Sequence, residues 1–329
     1  MEGPFFGVKY REFLSRSPQI DWRKCGWQAL SAKGFRALPR LGLIVVVPSV
    51  SVLIMGGDMK DEHAQFSGSI PAAYDRYLGP LLFQPYAEDL AARLPVEEVG
   101  SVLELACGTG ILTRVLRSRL TSAVKLTATD LNEPMFRNAA SKFDKGEDVQ
   151  WVQADACSLP FGDGKFDAVM CQFGIMFVPD KALAAREAHR VLKPGGLFLC
   201  NVWDALEQNE LCRIAHETIT SYFEKDPPTF YQTPFGYHDQ EEIKGMLEGA
   251  GFQEVRTEVV AKVGEASRAE EVATGLVQGN PVSVAIAERD PSLLPVITKA
   301  VADAIMHRFG EADMRVPMRA IVVQARKAL

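Results

Sequence analysis

The downstream part of the chain alternates short apolar runs, rich in β-branched residues, with longer stretches whose apolar residues recur at helical spacing. This alternation predicts a parallel sheet whose strands are joined by crossover helices. The first runs are apolar almost throughout, which is typical of strands that are buried on both faces. The pattern predicts seven strands: SVLELAC (101–107), VKLTATD (124–130), VQWVQAD (149–155), FDAVMCQF (166–173), GLFLCNVW (196–203), FQEVRTEVV (252–260) and RAIVVQARK (319–327).

Helices are predicted between and around these strands. Asp180 is a favourable N-cap for one of them, and the sequence Lys-Pro-Gly-Gly at 193–196 should end it. Residues 70–94 predict one or two helices broken at Gly79-Pro80 and at Pro85. The other helical segments are 110–120, 133–143, 180–192, 239–249 and a mostly helical stretch at 263–316.

The first 58 residues differ from the rest in charge and in pattern. They hold eight Lys and Arg against four Asp and Glu, a net charge of +4; the whole chain carries −6, so residues 59–329 carry −10. Their one long apolar run, 41–55, contains Pro48 and is shorter than the roughly 20 residues of a membrane-spanning helix. The leader is interpreted as a targeting segment, a membrane-surface anchor or, as we favour, a stretch outside the native functional protein, which would start at Met59.

Composition and charge narrow the classes of function. Hydrophobic residues make up 47% and charged residues 24%, as in an ordinary globular protein. The acidic balance gives no indication of a nucleic-acid-binding surface. Six cysteines are scattered without a Cys-x-x-Cys pair, which argues against a disulfide scaffold or a zinc module and favours a reducing, cytoplasmic location with no metal site.

The candidate chemistry is concentrated where the predicted strands end. The first strand ends in the run from Glu104 to Gly110, in which the small residues at 106, 108 and 110 let the backbone turn sharply and approach a ligand before a helix begins. Asp130 ends the second strand, where a carboxylate can accept both hydroxyls of a ribose, and Asp155 ends the third. Successive strand ends share one edge of the sheet, so these residues predict a ligand site at that edge.

A nicotinamide dinucleotide site is the obvious alternative. It expects a third glycine where this chain has Thr113, and it has no use for Glu104 beside the phosphate position. A cationic ligand without phosphate suits that carboxylate, and S-adenosylmethionine, with its sulfonium and amino groups, is such a ligand.

The motifs resemble those of the class I S-adenosylmethionine-dependent methyltransferases, in particular small-molecule methyltransferases similar to the ubiquinone/menaquinone biosynthesis C-methyltransferase. The match covers roughly 70–260, and Ala106 stands where the family more often has glycine. The resemblance implies a Rossmann-like α/β fold with a seven-stranded, mostly parallel sheet, helices on both faces and helical cap insertions. The matching motifs, in order, are VLELACGTG (102–110), TATDLNEPM (127–135), ADACSLPF (154–161), FDAVMCQFGIMFVPD (166–180) and HRVLKPGGLFLCNVW (189–203).

The resemblance also implies a domain plan and roles for residues. We expect a single methyltransferase domain over 59–329, with amino-terminal helices at 59–95, the cofactor-binding core at 96–203, and cap insertions with the last two strands at 204–329. Asp130 would hold the ribose diol and Glu104 the methionine amino group. The other residues expected around S-adenosylmethionine are Tyr74, Ala106, Cys107, Gly108, Gly110, Leu131, Met135, Asp155, Ala156 and Gln172.

Recognition of the methyl acceptor is expected from segments outside the core, at 66–94, 204–238 and 263–316. Asn201, Trp203 and Tyr237 are candidate substrate contacts, and His238 is a weak catalytic candidate whose alternative role is to cap the following helix. The expected function is methyl transfer to a small-molecule acceptor, with no nucleic-acid partner, no stable membrane insertion and a monomeric or homodimeric state. A protein that binds S-adenosylmethionine without turnover, and a macromolecule methyltransferase, are the alternatives.

Overall fold

The computed structural model describes residues 44–45, 53–54, 66, 68, 70–144 and 146–329. Internal packing divides the chain into two compact units, Met1–Met59 and Lys60–Leu329. In the first unit, strands Ile44–Val45 and Leu53–Ile54 pair antiparallel. The rest of the predicted leader lies outside the described residues. Among the described residues, no helix is long and apolar enough to cross a membrane.

The second unit is built on a seven-stranded sheet, as the sequence predicts. The order across the sheet is β3-β2-β1-β4-β5-β7-β6, and the first five strands are mutually parallel. Strand β7 runs antiparallel to both β5 and β6. The strands are β1 (Ser101–Leu105), β2 (Lys125–Asp130), β3 (Val149–Gln153), β4 (Phe166–Gln172), β5 (Leu192–Trp203), β6 (Phe252–Arg268) and β7 (Ala312–Lys327).

Helices connect the strands, and the predicted helical segments 110–120, 133–143, 180–192 and 239–249 are confirmed within a few residues. Asp180 caps its helix as expected, accepting the backbone N–H of Leu183 at 2.8 Å. The helices are α1 (Ile70–Ala73), α2 (Gln84–Ala92), α3 (Ile111–Arg119), α4 (Glu133–Ala140), α5 (Lys181–Val191), α6 (Glu210–Thr220), α7 (Gln232–Phe235), α8 (Gln240–Gly249), α9 (Ala269–Gln278), α10 (Val282–Arg289) and α11 (Leu293–Phe309).

The prediction that Gly79-Pro80 and Pro85 break the amino-terminal helices is wrong. A π-helical segment, Tyr74–Phe83, joins α1 to α2, and Pro80 lies inside it. Proline lacks the N–H and crowds the carbonyl one turn back, so a widened turn keeps the chain helical where an α-helix would kink. Pro85 lies in the first turn of α2, where its missing N–H costs no hydrogen bond.

The prediction for residues 263–316 is also wrong at both ends, because strands β6 and β7 extend into that stretch. β5 pairs with β7 only as far as Trp203 opposite Ala320. Beyond that point β6 and β7 pair with each other, from Ala261 opposite Arg319 to Arg268 opposite Ala312. This two-stranded extension continues past the carboxyl end of β5 and carries helices α9–α11 at its far end.

The core lies on both sides of the central strands. Leu103 on β1, Met170 on β4 and Phe198 on β5 are each 1% exposed or less. Strands with no solvent-facing side lose their apolar surface to neighbours on both faces, which explains why their sequences are apolar almost throughout. The strand ends that carry the polar candidates therefore lie on a rigid, fully packed frame.

Candidate active site

The turn after β1 adopts a left-handed backbone at three positions. Ala106, Gly108 and Gly110 have φ of 51°, 55° and 83°. A Cβ on Gly110 would stand 2.9 Å from the Cβ of Ala139, so that position also lacks room for a side chain. Ala106 takes up a conformation that costs a non-glycine residue about 1–2 kcal/mol. The predicted sharp turn is confirmed, and it stores some strain at Ala106.

The carboxyl of Asp130 closes this turn. One oxygen, Oδ2, accepts the backbone N–H of Gly108 at 2.8 Å, and Oδ1 accepts that of Asn132 at 2.8 Å. Asp130 is only 5% exposed. Its burial raises the pKa of the carboxyl, and the two N–H groups act against that rise. Asp130 is therefore already oriented by the backbone that would surround a cofactor.

Glu104 is a second buried carboxyl, one strand away from Asp130. It is 1% exposed and accepts a hydrogen bond of 2.6 Å from the hydroxyl of Thr113. Burial raises the pKa of Glu104 to about 8; the Thr113 hydrogen bond opposes this, and the charge of Asp130 adds to it. Thr113, where a dinucleotide site would need glycine, thus holds the carboxyl of Glu104 in place.

These two carboxyls fit a cationic cofactor. Among the described residues, no Lys, Arg or His forms an ion pair with Glu104 or Asp130, although buried carboxylates are ordinarily paired. A ligand with a sulfonium and an ammonium group would supply the missing positive charge. Two phosphates would bring further negative charge next to both carboxyls, which is a physical reason to reject a dinucleotide.

The side of the site expected to hold adenine is partly open. Leu131 is 56% exposed, an unusual state for a leucine, and Met135 is buried beneath the turn, with its Cε 3.6 Å from the position of a Cβ on Gly108. Asp155 is exposed and accepts the backbone N–H of Cys157 at 2.8 Å, with Ala156 half-buried between them. The structure therefore brings Leu131 and Met135 to the rim of the turn and places Asp155 in a turn of its own.

Tyr74 and Gln172 tie the amino-terminal helices to the site. The amide of Gln172, at the end of β4, donates to the carbonyl of Phe83 at 2.8 Å. Tyr74 stacks on Phe83 with ring centroids 4.7 Å apart. Burial raises the pKa of the Tyr74 phenol, and the charge of Asp130 raises it further.

An apolar cavity adjoins this site. Its lining includes Tyr74 itself and comes from the amino-terminal helices, the strand ends and the cap. The described lining residues are Phe66, Tyr74, Leu78, Leu82, Phe83, Phe173, Met176, Phe177, Trp203, Cys212, Phe230, Tyr231, Pro234, Phe235, Leu276 and Asn280. A concave, mostly aromatic lining with a few polar groups is typical of a site for a small organic molecule.

A stacked aromatic pair forms one wall of the cavity. Phe173 and Trp203 lie with ring centroids 4.1 Å apart and planes at 12°. Phe173 has φ of 52°, and its N–H is bonded at 3.0 Å to the side-chain Oδ1 of Asn201, which is 0% exposed. Trp203 therefore lines the cavity as predicted for a substrate contact. Asn201 does not reach it, because the side chain is turned inward to hold Phe173.

The other two acceptor-site candidates lie outside the cavity lining. Tyr237 is buried, with the ammonium of Lys181 4.9 Å from its ring centroid. His238 is exposed, and its Nδ1 lies 2.8 Å from the carbonyl oxygen of Phe235. The prediction that His238 caps the following helix is wrong: Asp239 caps α8, accepting the N–H groups of Glu241 and Glu242. A carboxylate one residue closer to the helix reaches those N–H groups better than the imidazole.

Thr113, Phe173 and Asn280 belong to the site but are not among the residues predicted for it. Thr113 counts in the sequence only as the absence of a glycine, yet a hydroxyl nine residues after a buried glutamate is a recognisable hydrogen-bond donor. Phe173 is the last residue of a predicted strand, and the pattern gives no sign of its left-handed backbone. Asn280 lies between two cap helices, and no motif points to it.

Comparison with known proteins shows the family of this chain. A family model described as a methyltransferase domain matches residues 103–200. The demethylmenaquinone methyltransferase of Staphylococcus epidermidis is 30% identical over 205 residues, which cover 57% of this chain and 83% of that protein. The enzyme of the same name from Staphylococcus aureus is 31% identical over 206 residues, with the same coverage.

Two solved structures share the fold. The YcgJ protein from Bacillus subtilis matches with a TM-score of 0.50 at 19% identity, over 74% of this chain and 99% of that one. Phosphoethanolamine N-methyltransferase 2 from Haemonchus contortus, solved with phosphomonomethylethanolamine and S-adenosylhomocysteine, matches with a TM-score of 0.50 at 18% identity, over 79% and 57% of the two chains.

Fold, site and relatives together define a methyltransferase. The chain belongs to the class I S-adenosylmethionine-dependent methyltransferases, and S-adenosylmethionine is its cofactor.

Proposed function

We propose that this enzyme transfers a methyl group from S-adenosylmethionine to a small, largely apolar acceptor that binds in the aromatic-lined cavity. The observation that carries this proposal is the contact between Gly174, which follows the lining residue Phe173, and the turn after β1, where a Cβ on Gly174 would stand 2.4 Å from the Cβ of Ala106. A molecule in the cavity would therefore be next to the cofactor. The names of the Staphylococcus relatives support a small-molecule acceptor, because demethylmenaquinone is one.

Each side of the site has a defined task in this proposal. Asp130 would bind the ribose hydroxyls and Glu104 the methionine amino group. Around them, the cofactor-binding role is assigned to Tyr74, Ala106, Cys107, Gly108, Gly110, Leu131, Met135, Asp155, Ala156 and Gln172. When bound, S-adenosylmethionine supplies a methyl group on a positively charged sulfur.

The turn after β1 is in direct contact with the wall of the cavity. A Cβ on Gly174, which follows Phe173, would stand only 2.4 Å from the Cβ of Ala106. The strand ends thus hold the cofactor turn and the acceptor wall at a fixed separation. Alignment of this kind is worth about 7–11 kcal/mol in well-oriented reactions, so positioning can supply much of the acceleration.

The described lining of the cavity is uncharged. Among the described residues that line it there is no Asp, Glu, His, Lys or Arg. Such a wall excludes water and favours a transition state in which the charge of the donor is dispersed. It supports an acceptor that is uncharged, and one whose nucleophilic atom needs no side-chain base from the lining.

A macromolecular acceptor is the second candidate, and the net charge of −10 over residues 59–329 speaks against nucleic acid. The cytoplasmic location, the monomeric or homodimeric state and the view of residues 1–58 as outside the functional protein stay predictions from the sequence.

Formation of S-adenosylhomocysteine tests the proposal. The purified protein is supplied with S-adenosylmethionine and with either the organic-solvent extract or the macromolecular fraction of the same cells. We expect the organic extract to stimulate turnover and the macromolecular fraction to leave it unchanged. Tight retention of S-adenosylmethionine with no turnover in either fraction would instead identify a binding protein.

A further inference from the structure

One part of the cavity wall is polar. Helix α9 and the residues after it contribute Leu276 and Asn280, and Tyr231 from the cap lies beside them. Asn280 is only 6% exposed. Its amide has therefore lost most of its hydration to an aromatic surrounding. Burial of such a group costs free energy unless it forms hydrogen bonds with a partner. The hydrogen-bond partners of each polar atom of the Asn280 side chain therefore indicate its role.

Two donors converge on one carbonyl at this place. The hydroxyl of Tyr231 donates to the carbonyl of Leu276 at 2.8 Å, and Nδ2 of Asn280 donates to the same carbonyl at 3.1 Å. A carbonyl can only accept, which fixes the nitrogen of the Asn280 amide on that side. The hydroxyl proton of Tyr231 is therefore engaged, and the amide of Asn280 has a fixed orientation.

The oxygen of the same amide has no such partner. Among the described residues, no donor is bonded to Oδ1 of Asn280, and this atom is not one of the fully enclosed polar atoms. Because Nδ2 is committed to Leu276 and the residue lines the cavity, Oδ1 is left as a hydrogen-bond acceptor for a molecule in the cavity. The phenol oxygens of Tyr74 and Tyr231 and the thiol of Cys212 are the other polar side-chain groups of the described lining.

We propose that Oδ1 of Asn280 selects the methyl acceptor by accepting a hydrogen bond from a hydroxyl or N–H group on an otherwise apolar, ring-bearing molecule. This inference rests on the proposed function, since it assumes that the acceptor binds in this cavity. It narrows the acceptor class from apolar compounds in general to those with one donor group on the ring, such as phenols, hydroxylated fused rings or indole-like amines. A molecule without such a donor would leave Oδ1 buried and unpaired.

A purely structural role for Asn280 makes a different prediction. In that case Nδ2 serves only to satisfy the Leu276 carbonyl near the end of α9, and the cavity has no preference between donors and non-donors. Ligands of equal shape that differ only in the donor separate the two roles.

The test uses 2-naphthol, 2-methoxynaphthalene and 2-methylnaphthalene as probes. Their dissociation constants are measured by calorimetry on the full chain saturated with S-adenosylhomocysteine. We expect 2-naphthol to bind about three- to tenfold more tightly than the other two, the value of one neutral hydrogen bond. Asn280→Leu should bind 2-methylnaphthalene as well as before and should lose the preference for 2-naphthol, while its affinity for S-adenosylhomocysteine is unchanged.

Tyr231→Phe is the matched control, because it removes a neighbouring hydroxyl and leaves Oδ1 in place, so the preference should survive. Loss of the preference in this variant would transfer the role to Tyr231 and overturn the assignment. Equal binding of all three probes to the unaltered protein would overturn the role of Asn280 and leave the cavity as an acceptor site. No binding of any probe would overturn the acceptor site itself, and with it this inference.

Discussion

The backbone N–H of Gly108 donates to Oδ2 of Asp130 at 2.8 Å, and this bond joins the end of β2 to the turn that follows β1. Its consequence is that the carboxyl proposed to bind the ribose is oriented before any ligand arrives. A side chain that is already ordered loses less conformational entropy on binding, so the site is prepared for its cofactor.

Asp130→Ala should weaken S-adenosylmethionine binding at least tenfold. Hydrogen bonds to a charged group are worth about 1.5–3 kcal/mol each, and 1.4 kcal/mol is one decade of affinity. The variant also loses two backbone partners, so we expect a decrease of about 1–3 kcal/mol in the free energy of unfolding. Asp130→Asn should lose less affinity because one acceptor oxygen survives. Titration calorimetry and denaturant unfolding measure the two effects.

Asp155→Ala is a control for the stability part of that experiment alone, because Asp155 is itself assigned to the cofactor site. Asp155 also follows a strand and accepts a backbone N–H, but it is exposed, so its loss should change stability little. A folded Asp130→Ala protein that binds S-adenosylmethionine normally would contradict the assignment of the ribose site.

Glu104 should make the stability of the ligand-free protein depend on pH. Burial raises its pKa from 4.5 to about 8 in the folded state. Between these values the unfolded chain has released the proton and the folded chain has kept it, so stability falls as pH rises from about 4.5 to about 8. Glu104→Gln cannot ionise, so it should gain stability relative to the unaltered protein across that range. Urea unfolding at several pH values would show a constant difference if this account is wrong.

The same carboxyl predicts proton release on cofactor binding. The positive charges of S-adenosylmethionine favour the ionised form of Glu104, so below about pH 8 binding should expel a proton and affinity should rise with pH. Calorimetry in buffers of different ionisation enthalpy measures that proton. Glu104→Gln should show none from this position, and an unchanged proton count in the variant would point to another group.

Gly174→Ala should destabilise the protein by about 1–3 kcal/mol, because the new Cβ would stand 2.4 Å from the Cβ of Ala106. Ala106→Gly removes that neighbour and relieves the left-handed backbone at φ 51°. The double variant should therefore recover much of the lost stability, although the sulfur of Cys171 at 3.0 Å still limits the space. A double-mutant cycle with strictly additive effects would contradict the close contact between the two turns.

Deletion of residues 1–58 should leave folding and cofactor binding unchanged. Every cofactor-site residue lies in the second unit, Lys60–Leu329. The melting temperature and the affinity for S-adenosylhomocysteine of the shortened protein are compared with those of the full chain. Loss of solubility or of cofactor binding would instead support a structural or targeting role for the leader.

The strand framework was predictable because buried parallel strands need apolar residues at every position, as in β1, β4 and β5. Asp130 could be placed at the end of β2 because the buried run of that strand stops there. Its burial could not, because the closing N–H of Gly108 depends on how two separate turns approach each other. Asn201 shows the same limit: its position on β5 was correct, but its orientation depends on the left-handed backbone of Phe173. The local sequence pattern predicts the strand or helix in which a residue lies. Its burial and orientation depend on contacts between segments that are distant in the sequence.

The destination of the methyl group tests the central claim most directly. The protein is incubated with cell extract and with S-adenosylmethionine that carries a radioactive methyl group, and the products are separated into organic-soluble compounds, water-soluble compounds, nucleic acid and protein. An acceptor that binds in the aromatic cavity predicts label in the organic-soluble fraction, and much less there with Asp130→Ala at a limiting concentration of S-adenosylmethionine. Label confined to the protein or nucleic-acid fraction would contradict the proposed acceptor class.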